Sequence, residues 1–289
     1  MPPAELLING LVQSCIYMTM AFGMVLVFSI LGILNWTHGQ FYMLGAFVVY
    51  YAVTAAGIPF PLSILISGAV IGGLGMFVGK YIIERVNVPG GLGLLYVTGA
   101  TIALNFFFEG GAGMAFGLED KGMYNAIPGV LELGTFSITY QKIAVVIFTL
   151  VVMAALYIVL NFTKIGLAIR AAAQEPSAAS LYGISVGRLS IIVMGIGCAL
   201  AGMAGAIIAP VYVVNPFIGE VPLMMALLAI IIGGIGSLTG AIVGGLILGF
   251  FTSIVPYYLG YISELALFLT VIILLLVRPH GLFGVPIRR

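Results

Sequence analysis

The sequence predicts an all-α polytopic membrane protein, because of its composition, its long apolar runs and the positions of its few charges. Of the 289 residues, 62% are hydrophobic and only 7% are charged, which is far outside the range of water-soluble domains. Most apolar runs approach the roughly 20 residues that a helix needs to cross a bilayer. The longest polar stretch, about Gly117 to Lys142, is short, so we expect a single membrane domain over residues 1–289.

The basic residues predict the topology, because loops rich in lysine and arginine stay on the cytoplasmic side of the membrane. They form three groups: Lys80 and Arg85; Lys164, Arg170 and Arg188; and Arg278, Arg288 and Arg289. The loop that holds Lys121 and Lys142 also carries three carboxylates and is predicted to be external. We therefore expect the N-terminus outside, the C-terminus in the cytoplasm and an odd number of spans.

About nine transmembrane helices, within a range of roughly eight to ten, fit between these anchors. The predicted spans are residues 7–31, 41–56, 62–83, 94–116, 143–162, 189–211, 222–236, 241–256 and 263–277. Residues 222–256 form either two full spans or two short or re-entrant helices. The first run has no basic start and is too long for a signal peptide, so it is expected to remain in the protein.

Three breaks interrupt the apolar segments. They are the Asn-Trp-Thr-His-Gly-Gln run at residues 35–40, Pro210, and the Gly-Gly-Ile-Gly-Ser run at residues 233–237. A broken helix at membrane depth needs protein or a water-filled cavity to satisfy its backbone, and breaks in both halves indicate a transport pathway. Glycines four residues apart predict close helix packing. They are Gly68 and Gly72, Gly75 and Gly79, and Gly236, Gly240 and Gly244.

The sequence lacks the patterns of nucleotide hydrolysis and metal binding. Residues 75–81 are not a phosphate-binding loop, because Leu74 and Tyr81 replace a required glycine and a required hydroxyl. Cys15 and Cys198 lie in apolar runs and suggest neither a disulfide nor a metal site.

Proton coupling is also disfavoured. The candidate carboxylates Glu109 and Glu264 are predicted near the outer ends of their spans, whereas a proton relay usually needs a deeper group. If this chain moves a solute uphill, we expect the energy to come from elsewhere.

A polar segment at residues 164–188 stands out between two long apolar runs. Its first part is predicted to be helical to about Gln174, and Glu175-Pro176 interrupts that helix. Pro176 suits the start of a second short helix, Ser177 to Tyr182, which Gly183 closes. By itself the segment is either a docking helix for a partner protein or a solvated connector.

Four segments resemble a known family. Residues 170–184 (RAAAQEPSAASLYGI) resemble the cytoplasmic coupling motif of permeases in the branched-chain amino-acid ABC importer family. Residues 35–41 are similar to its NxAHGxF signature, with Thr37 where alanine is common. Residues 233–241 resemble GGxGSxPGA, with Thr239 where proline is usual, and residues 278–284 resemble RPxGLFG. Together they resemble the H-type permease subunit over about residues 7 to 284.

The resemblance implies a multi-pass subunit of a bacterial importer in the inner (plasma) membrane, in contact with lipid. Its expected partners are a second, related permease in a heterodimer, two cytoplasmic ATPase subunits and a periplasmic solute-binding protein, with no nucleic acid. ATP and Mg would bind the ATPase subunits, so no cofactor, metal or catalytic residue is expected on this chain.

A branched-chain or other amino acid is the leading solute, and urea, short amides or aromatic acids are alternatives. An ATP-independent secondary transporter or channel is the other class considered, and a membrane enzyme lacks a catalytic constellation.

Two groups of functional residues are predicted. The residues expected to couple to the ATPase are Arg170, Gln174, Glu175, Ser177, Ala178, Ala179 and Gly183. A bulky charged residue at position 179 is expected to abolish transport while the membrane domain still assembles. The residues expected along the translocation path are Asn35, His38, Gly39, Gln40, Asn105, Gly233, Gly234 and Ser237. His38 is either a packed, hydrogen-bonded helix-end residue on the cytoplasmic side or a ligand, and the alternative role of Asn35, Gly39 and Gln40 is to shape an inner gate beside the break. Asn105 either lines the path or bonds between helices.

Overall fold

The computed structural model describes residues 3–86, 93–123, 127–133 and 136–284, which are mostly α-helical. The helices are α1 (Pro3–Leu31), α2 (His38–Thr54), α3 (Phe60–Val78), α4 (Gly93–Phe116), α5 (Tyr140–Phe162), α6 (Lys164–Gln174), α7 (Pro176–Leu181), α8 (Val186–Ile208), α9 (Glu220–Gly233), α10 (Leu238–Leu259) and α11 (Ser263–Val277). Helix α3 continues through a π-helical segment, Gly79–Ile83, and a last turn, Glu84–Val86. A 3-10 turn, Gly260–Ile262, joins α10 to α11.

The helices confirm an integral membrane protein. Among the described residues, 5 helical segments are long and apolar enough to cross a bilayer: Ala4–Leu31, Phe60–Val86, Tyr140–Phe162, Val186–Ile208 and Leu238–Val277. Helix α9 is a shorter apolar helix. Each predicted span overlaps a helix, while Arg288 and Arg289, which belong to the predicted cytoplasmic C-terminus, lie outside the described residues.

A short β-hairpin was not predicted. Strands β1 (Val130–Leu133) and β2 (Phe136–Thr139) pair antiparallel, with Val130 opposite Thr139. The hairpin lies in the polar loop between α4 and α5, where β-branched residues favour extended backbone.

Glycines determine how closely the central helices pack. A Cβ added at Gly75 of α3 would lie 2.5 Å from Cβ of Cys198 in α8, and one at Gly23 of α1 would lie 2.8 Å from the carbonyl oxygen of Gly197. Because no real Cβ makes such contacts, these positions require glycine. The prediction that spaced glycines serve helix packing is confirmed at Gly75. It is wrong at Gly236, which has a φ of +85° and lies in a turn.

The bundle contains two similar halves of opposite direction, α1–α4 and α8–α11. Helix α8 begins beside the end of α1, since Ile30, Leu31, Val186 and Gly187 line one cavity. In each half a long helix is followed by a loop, a short helix and another long helix. The first helix of each half packs against the third helix of the other half, as α1 does with α10 and α8 with α3.

Candidate functional site

The chain turns back into the bundle after α1. A Cβ added at Gly23 would lie 3.2 Å from Nε2 of His38, so His38 lies at the level of Gly23. At 1.5 Å per residue, that level is about 12 Å from the end of α1 at Leu31. The break at residues 35–40 is therefore a re-entrant segment, and α2 begins inside the bundle. His38 consequently lies deeper than the cytoplasmic end, where the sequence predicted it.

A second re-entrant segment follows α8. Residues 209–219 lead back into the bundle, where Gly219 packs against Gly39 at the start of α2. A Cβ added at Gly39 would lie 2.6 Å from the carbonyl oxygen of Gly219, so the two backbones touch. The N-termini of α2 and α9 thus meet inside the protein. This arrangement explains why Pro210, predicted as a helix break, lies in the turn that follows α8.

The two re-entrant segments share one turn. The side-chain oxygen of Asn35 accepts a hydrogen bond from the amide of Thr37 at 3.1 Å, and that of Asn215 accepts one from Phe217 at 3.0 Å. In both segments the asparagine is followed four positions later by glycine. Sequence reasoning missed this repeat of Asn-x-x-x-Gly, which is visible in the printed sequence.

A polar network joins the first turn of α2 to α4. Nε2 of Gln40 donates to Oδ1 of Asn105 at 3.2 Å and to Oε2 of Glu109 at 3.4 Å. Oγ1 of Thr37 donates to the carbonyl oxygen of Thr101 at 2.8 Å. Asn105 therefore makes the interhelical hydrogen bond that was one of its two predicted roles.

Three buried polar atoms in this region have no hydrogen-bond partner among the described residues. They are both ring nitrogens of His38 and Oε1 of Gln40. The two side chains are 0% and 1% exposed, respectively. An unsatisfied buried polar group costs about 1–3 kcal/mol, so a region that keeps three of them is a strong candidate for contact with a solute or water. His38 is packed as predicted, and the backbone of Met20 lies within reach of its ring, although neither ring nitrogen makes a hydrogen bond of good geometry there.

Two carboxylates belong to the same region and were missed as site residues. Glu109 is half-buried beside Gln40, and the sequence predicted it near the outer end of its span without a role in the site. Glu220 is the first residue of α9 and is close enough for its charge to act on the Glu109 carboxyl. The Asn-x-x-x-Gly repeat was the available signal for Glu220, because the next residue is Gln40 in one segment and Glu220 in the other.

The remaining predicted path residues lie elsewhere. Gly233 ends α9, Gly234 has a φ of +105°, and Ser237 caps α10 by accepting a hydrogen bond from the amide of Gly240 at 3.0 Å. They form the turn between α9 and α10, at the far end of α9 from Glu220. The structure therefore does not bring them together with His38 and Gln40.

The C-terminal segment is hydrogen-bonded to this turn. The amide of Leu282 donates to the carbonyl oxygen of Ile232 at 2.9 Å, and that of Phe283 donates to Gly233 at 2.9 Å. The glycine-rich motif at residues 233–241 and the closing motif at residues 278–284 thus form one corner of the bundle.

The polar segment at residues 164–188 forms two helices, as predicted. Thr163 caps α6 by accepting from the amide of Gly166 at 3.1 Å. Glu175 has extended backbone between α6 and α7, Pro176 starts α7, and Gly183 follows it with a φ of +83°. The short helix predicted at residues 177–182 is α7.

The predicted coupling residues differ in exposure. Gln174, Glu175, Ser177 and Gly183 are exposed, Arg170 and Ala178 are partly buried, and Ala179 is buried. Nη1 of Arg170 donates to Oδ1 of Asn161 at 2.6 Å, which ties α6 to the end of α5. The side chains that project furthest from α7 and the residue after it are Leu181 and Tyr182, each 88% exposed.

A cavity of about 550 Å³ is lined both by α6 and by the glycine-rich corner. Arg170 and Gln174 line it from α6, and Gly236 lines it from the turn before α10. Helices α6 and α7 and the corner therefore lie at the same end of the bundle.

Two half-helices that begin inside a bundle of apolar helices, next to unpaired polar groups, define a membrane permease. The comparison with protein families identifies the kind of permease. The chain matches the family of permease components of branched-chain amino acid transport systems over residues 6–278, and it belongs to that family.

Known relatives cover nearly the whole chain. The chain is 32% identical over 299 residues to the high-affinity branched-chain amino acid transport permease LivH of Salmonella typhimurium, covering 96% of this chain and 94% of the relative. It is 31% identical to LivH of Escherichia coli K12, with the same coverage. It is also 31% identical to BraD of Pseudomonas aeruginosa, covering 97% of this chain and 95% of the relative. No solved structure matches the chain.

The family confirms the resemblance seen in the sequence. The chain is a permease subunit of the ABC importer class, a transport protein and not an enzyme.

Proposed function

We propose that this chain carries branched-chain amino acids across a bacterial inner membrane, driven by ATP hydrolysis on partner subunits. The observation that carries the proposal is the meeting of the α2 and α9 N-termini inside the bundle. The polar residues there, His38, Gln40, Asn105, Glu109 and Glu220, form a site part-way across the membrane, which we call the station. The solute class follows the names of the relatives. Urea, short amides and aromatic acids are the alternative solutes.

The solute path follows the surface of the station that Glu109 and Glu220 reach, and this surface faces the second permease. Glu220 is exposed and Glu109 is half-buried, so both reach a surface that lies at membrane depth. Carboxylates at that depth need protein or water rather than lipid around them. Phe106 and Phe107, 66% and 69% exposed on α4, supply apolar area for the second permease, which we infer to be a related but distinct chain.

Helix α7 docks on an ATPase subunit. It is short, and the extended Glu175 and the left-handed Gly183 hold it at a fixed angle to its neighbours. Leu181 and Tyr182 offer a large exposed apolar contact beside it. ATP and Mg bind the ATPase subunits, of which the complete importer contains two, and a periplasmic binding protein delivers the solute on the other side.

The proposed topology has about nine spans in one membrane domain, with α2 and α9 as broken spans that start at mid-depth. The N-terminus lies outside, and α6, α7 and the C-terminus lie in the cytoplasm. The loop between α4 and α5 is external, where it meets the binding protein.

Reconstitution tests this function. We expect the chain to co-purify with its second permease and two ATPase subunits, and the complex to accumulate leucine in proteoliposomes when ATP and the binding protein are supplied. Leucine flux through this chain alone, without ATPases, would assign it instead to the secondary transporters.

Replacing Leu181 with Asp is expected to weaken docking of the ATPase. The substitution places a charge where an apolar contact is proposed, and the side chain makes little contact within this chain. Co-purified ATPase, measured by quantitative immunoblotting, should fall by more than about tenfold, while the variant stays folded. Leu118→Asp is the matched control, because Leu118 is similarly exposed, at 67%, in the external loop. Equal ATPase recovery with both variants would contradict the docking role.

A further inference from the structure

The station at the start of α2 is rich in hydrogen-bond acceptors. Nε2 of Gln40 points at Oδ1 of Asn105 and at the Glu109 carboxylate, which directs the Gln40 amide into this cluster. Oε1 of the same amide has no partner among the described residues, although the side chain is only 1% exposed. Glu220 stands beside the cluster at the start of α9. A buried acceptor without a partner, on an amide that already contacts a carboxylate, matches a ligand that donates hydrogen bonds.

Both carboxylates are associated with the two helix N-termini. Glu220 is the first residue of α9, and Glu109 contacts a residue in the first turn of α2. The free N–H groups and the dipole at a helix N-terminus favour negative charge. Because Gly39 and Gly219 bring the two N-termini into contact, Glu220 and the hydrogen-bonded pair of Gln40 and Glu109 belong to one region of the bundle.

Within the ranges the structure describes, no hydrogen bond joins a lysine or arginine to Gln40, Asn105, Glu109 or Glu220. The ammonium group of Lys121 lies over the Tyr50 ring, 5.9 Å from its centroid, and that of Lys142 donates to Asn9 at 2.8 Å. The negative charge therefore remains available to a ligand.

We propose that Gln40, Asn105, Glu109 and Glu220 bind the ammonium group of the transported amino acid at mid-membrane. This inference rests on the proposed function, which supplies a solute with an ammonium group. The group carries positive charge and three donors, which match two carboxylates and the free oxygen of Gln40. The station then selects amino acids over uncharged amides, whatever side chain they carry.

The test is leucine uptake into proteoliposomes that hold the complete importer, driven by ATP and the loaded binding protein. Glu109→Gln and Glu220→Gln are each expected to lower the maximal uptake rate by more than about tenfold, because each removes a charge-assisted hydrogen bond. ATPase activity stimulated by the loaded binding protein should change by less than about twofold, since α7 is untouched. The concentration of binding protein that gives half-maximal uptake should also stay unchanged, and Glu109→Asp should restore part of the rate.

Glu264→Gln is the matched control. Glu264 is an exposed carboxylate in the first turn of α11, remote from the station in the chain, and its replacement should leave uptake unchanged. Uptake within about twofold of wild type in both station variants would overturn the proposal. Stimulated ATPase activity that falls in parallel with uptake would also overturn it, because the carboxylates would then serve assembly or coupling.

An inorganic cation is the other ligand with the same chemistry. Uptake is therefore compared in sodium and in choline buffers. We expect equal rates, and a strict sodium requirement that the Glu109→Gln variant loses would assign the station to sodium and overturn the ammonium proposal. Failure of the wild-type complex to accumulate leucine in any buffer would instead reject the proposed function, independently of the variants.

Discussion

Replacing Gly45 with Leu is expected to prevent accumulation of folded protein. A Cβ at Gly45 would overlap the backbone of Gly202 in α8, since it would lie 2.5 Å from the Gly202 Cα. Oγ of Ser67 in α3 bonds to the carbonyl oxygens of both glycines, at 3.1 and 3.3 Å. A leucine side chain would therefore separate three helices at one crossing. Overpacking of side chains alone costs about 1–3 kcal/mol, and a backbone clash exceeds that range because neither partner can rotate away.

The measurement is the yield of monodisperse protein in detergent and its thermal unfolding temperature. Gly73→Leu is the matched control, because a Cβ added at Gly73 of α3 would meet no neighbouring group within 4 Å. Leucine has a higher helix propensity than glycine by about 0.8 kcal/mol, so the control should fold at least as well as wild type. Normal yield and melting of the Gly45→Leu protein would show that α2 and α8 are not in contact there.

Replacing Ala179 with Lys is expected to abolish ATP-driven uptake while the bundle still folds. Ala179 is 4% exposed and faces the interior of this chain, and its carbonyl oxygen accepts from the amide of Ile184 at 3.2 Å. A lysine there must displace α7 from its packed position, because a charged side chain cannot stay buried without a partner. The site is at one end of the bundle, so we expect the packing of α1 against α10 to be retained. The effect thus arises from displacement of the docking helix and not from a direct contact of Ala179 with the ATPase.

Ser180→Lys separates these two causes. Ser180 is the next residue on α7 and is exposed, so a lysine there adds the same charge without displacing the helix. We expect ATP-driven uptake to fall by more than about tenfold for Ala179→Lys and much less for Ser180→Lys, with equal yields of folded protein. Equal uptake by the two variants would show that the burial of Ala179 has no functional consequence.

The path residues show why the sequence predicted some features and missed others. The break at residues 35–40 is visible in the sequence, because polar residues and glycine interrupt an apolar run. Its depth is not visible, since a chain that leaves a helix can turn back as readily as it can cross to the next span. His38 was therefore placed at the cytoplasmic end, although its ring lies beside Gly23.

The polar segment at residues 164–188 was predicted more accurately because its signals are local. Proline starts α7, the residue before it is extended, and glycine with positive φ follows the helix, each by the conformational preference of one residue. The direction in which Ala179 faces depends on the packing of α7 against its neighbours. Sequence patterns over six residues are too short to establish it.

By itself, the sequence determined the class, the approximate helices, the two helices of the polar segment and the family, because composition, periodicity and turn preferences act over short stretches of chain. The tertiary structure alone decided that α2 and α9 start inside the bundle and that Gly39 meets Gly219. It also decided that Gln40, Asn105 and Glu109 share one network, while Gly233 and Ser237 belong to another corner. These relations join residues far apart in the chain, and they depend on close backbone contacts that form only when the helices pack together.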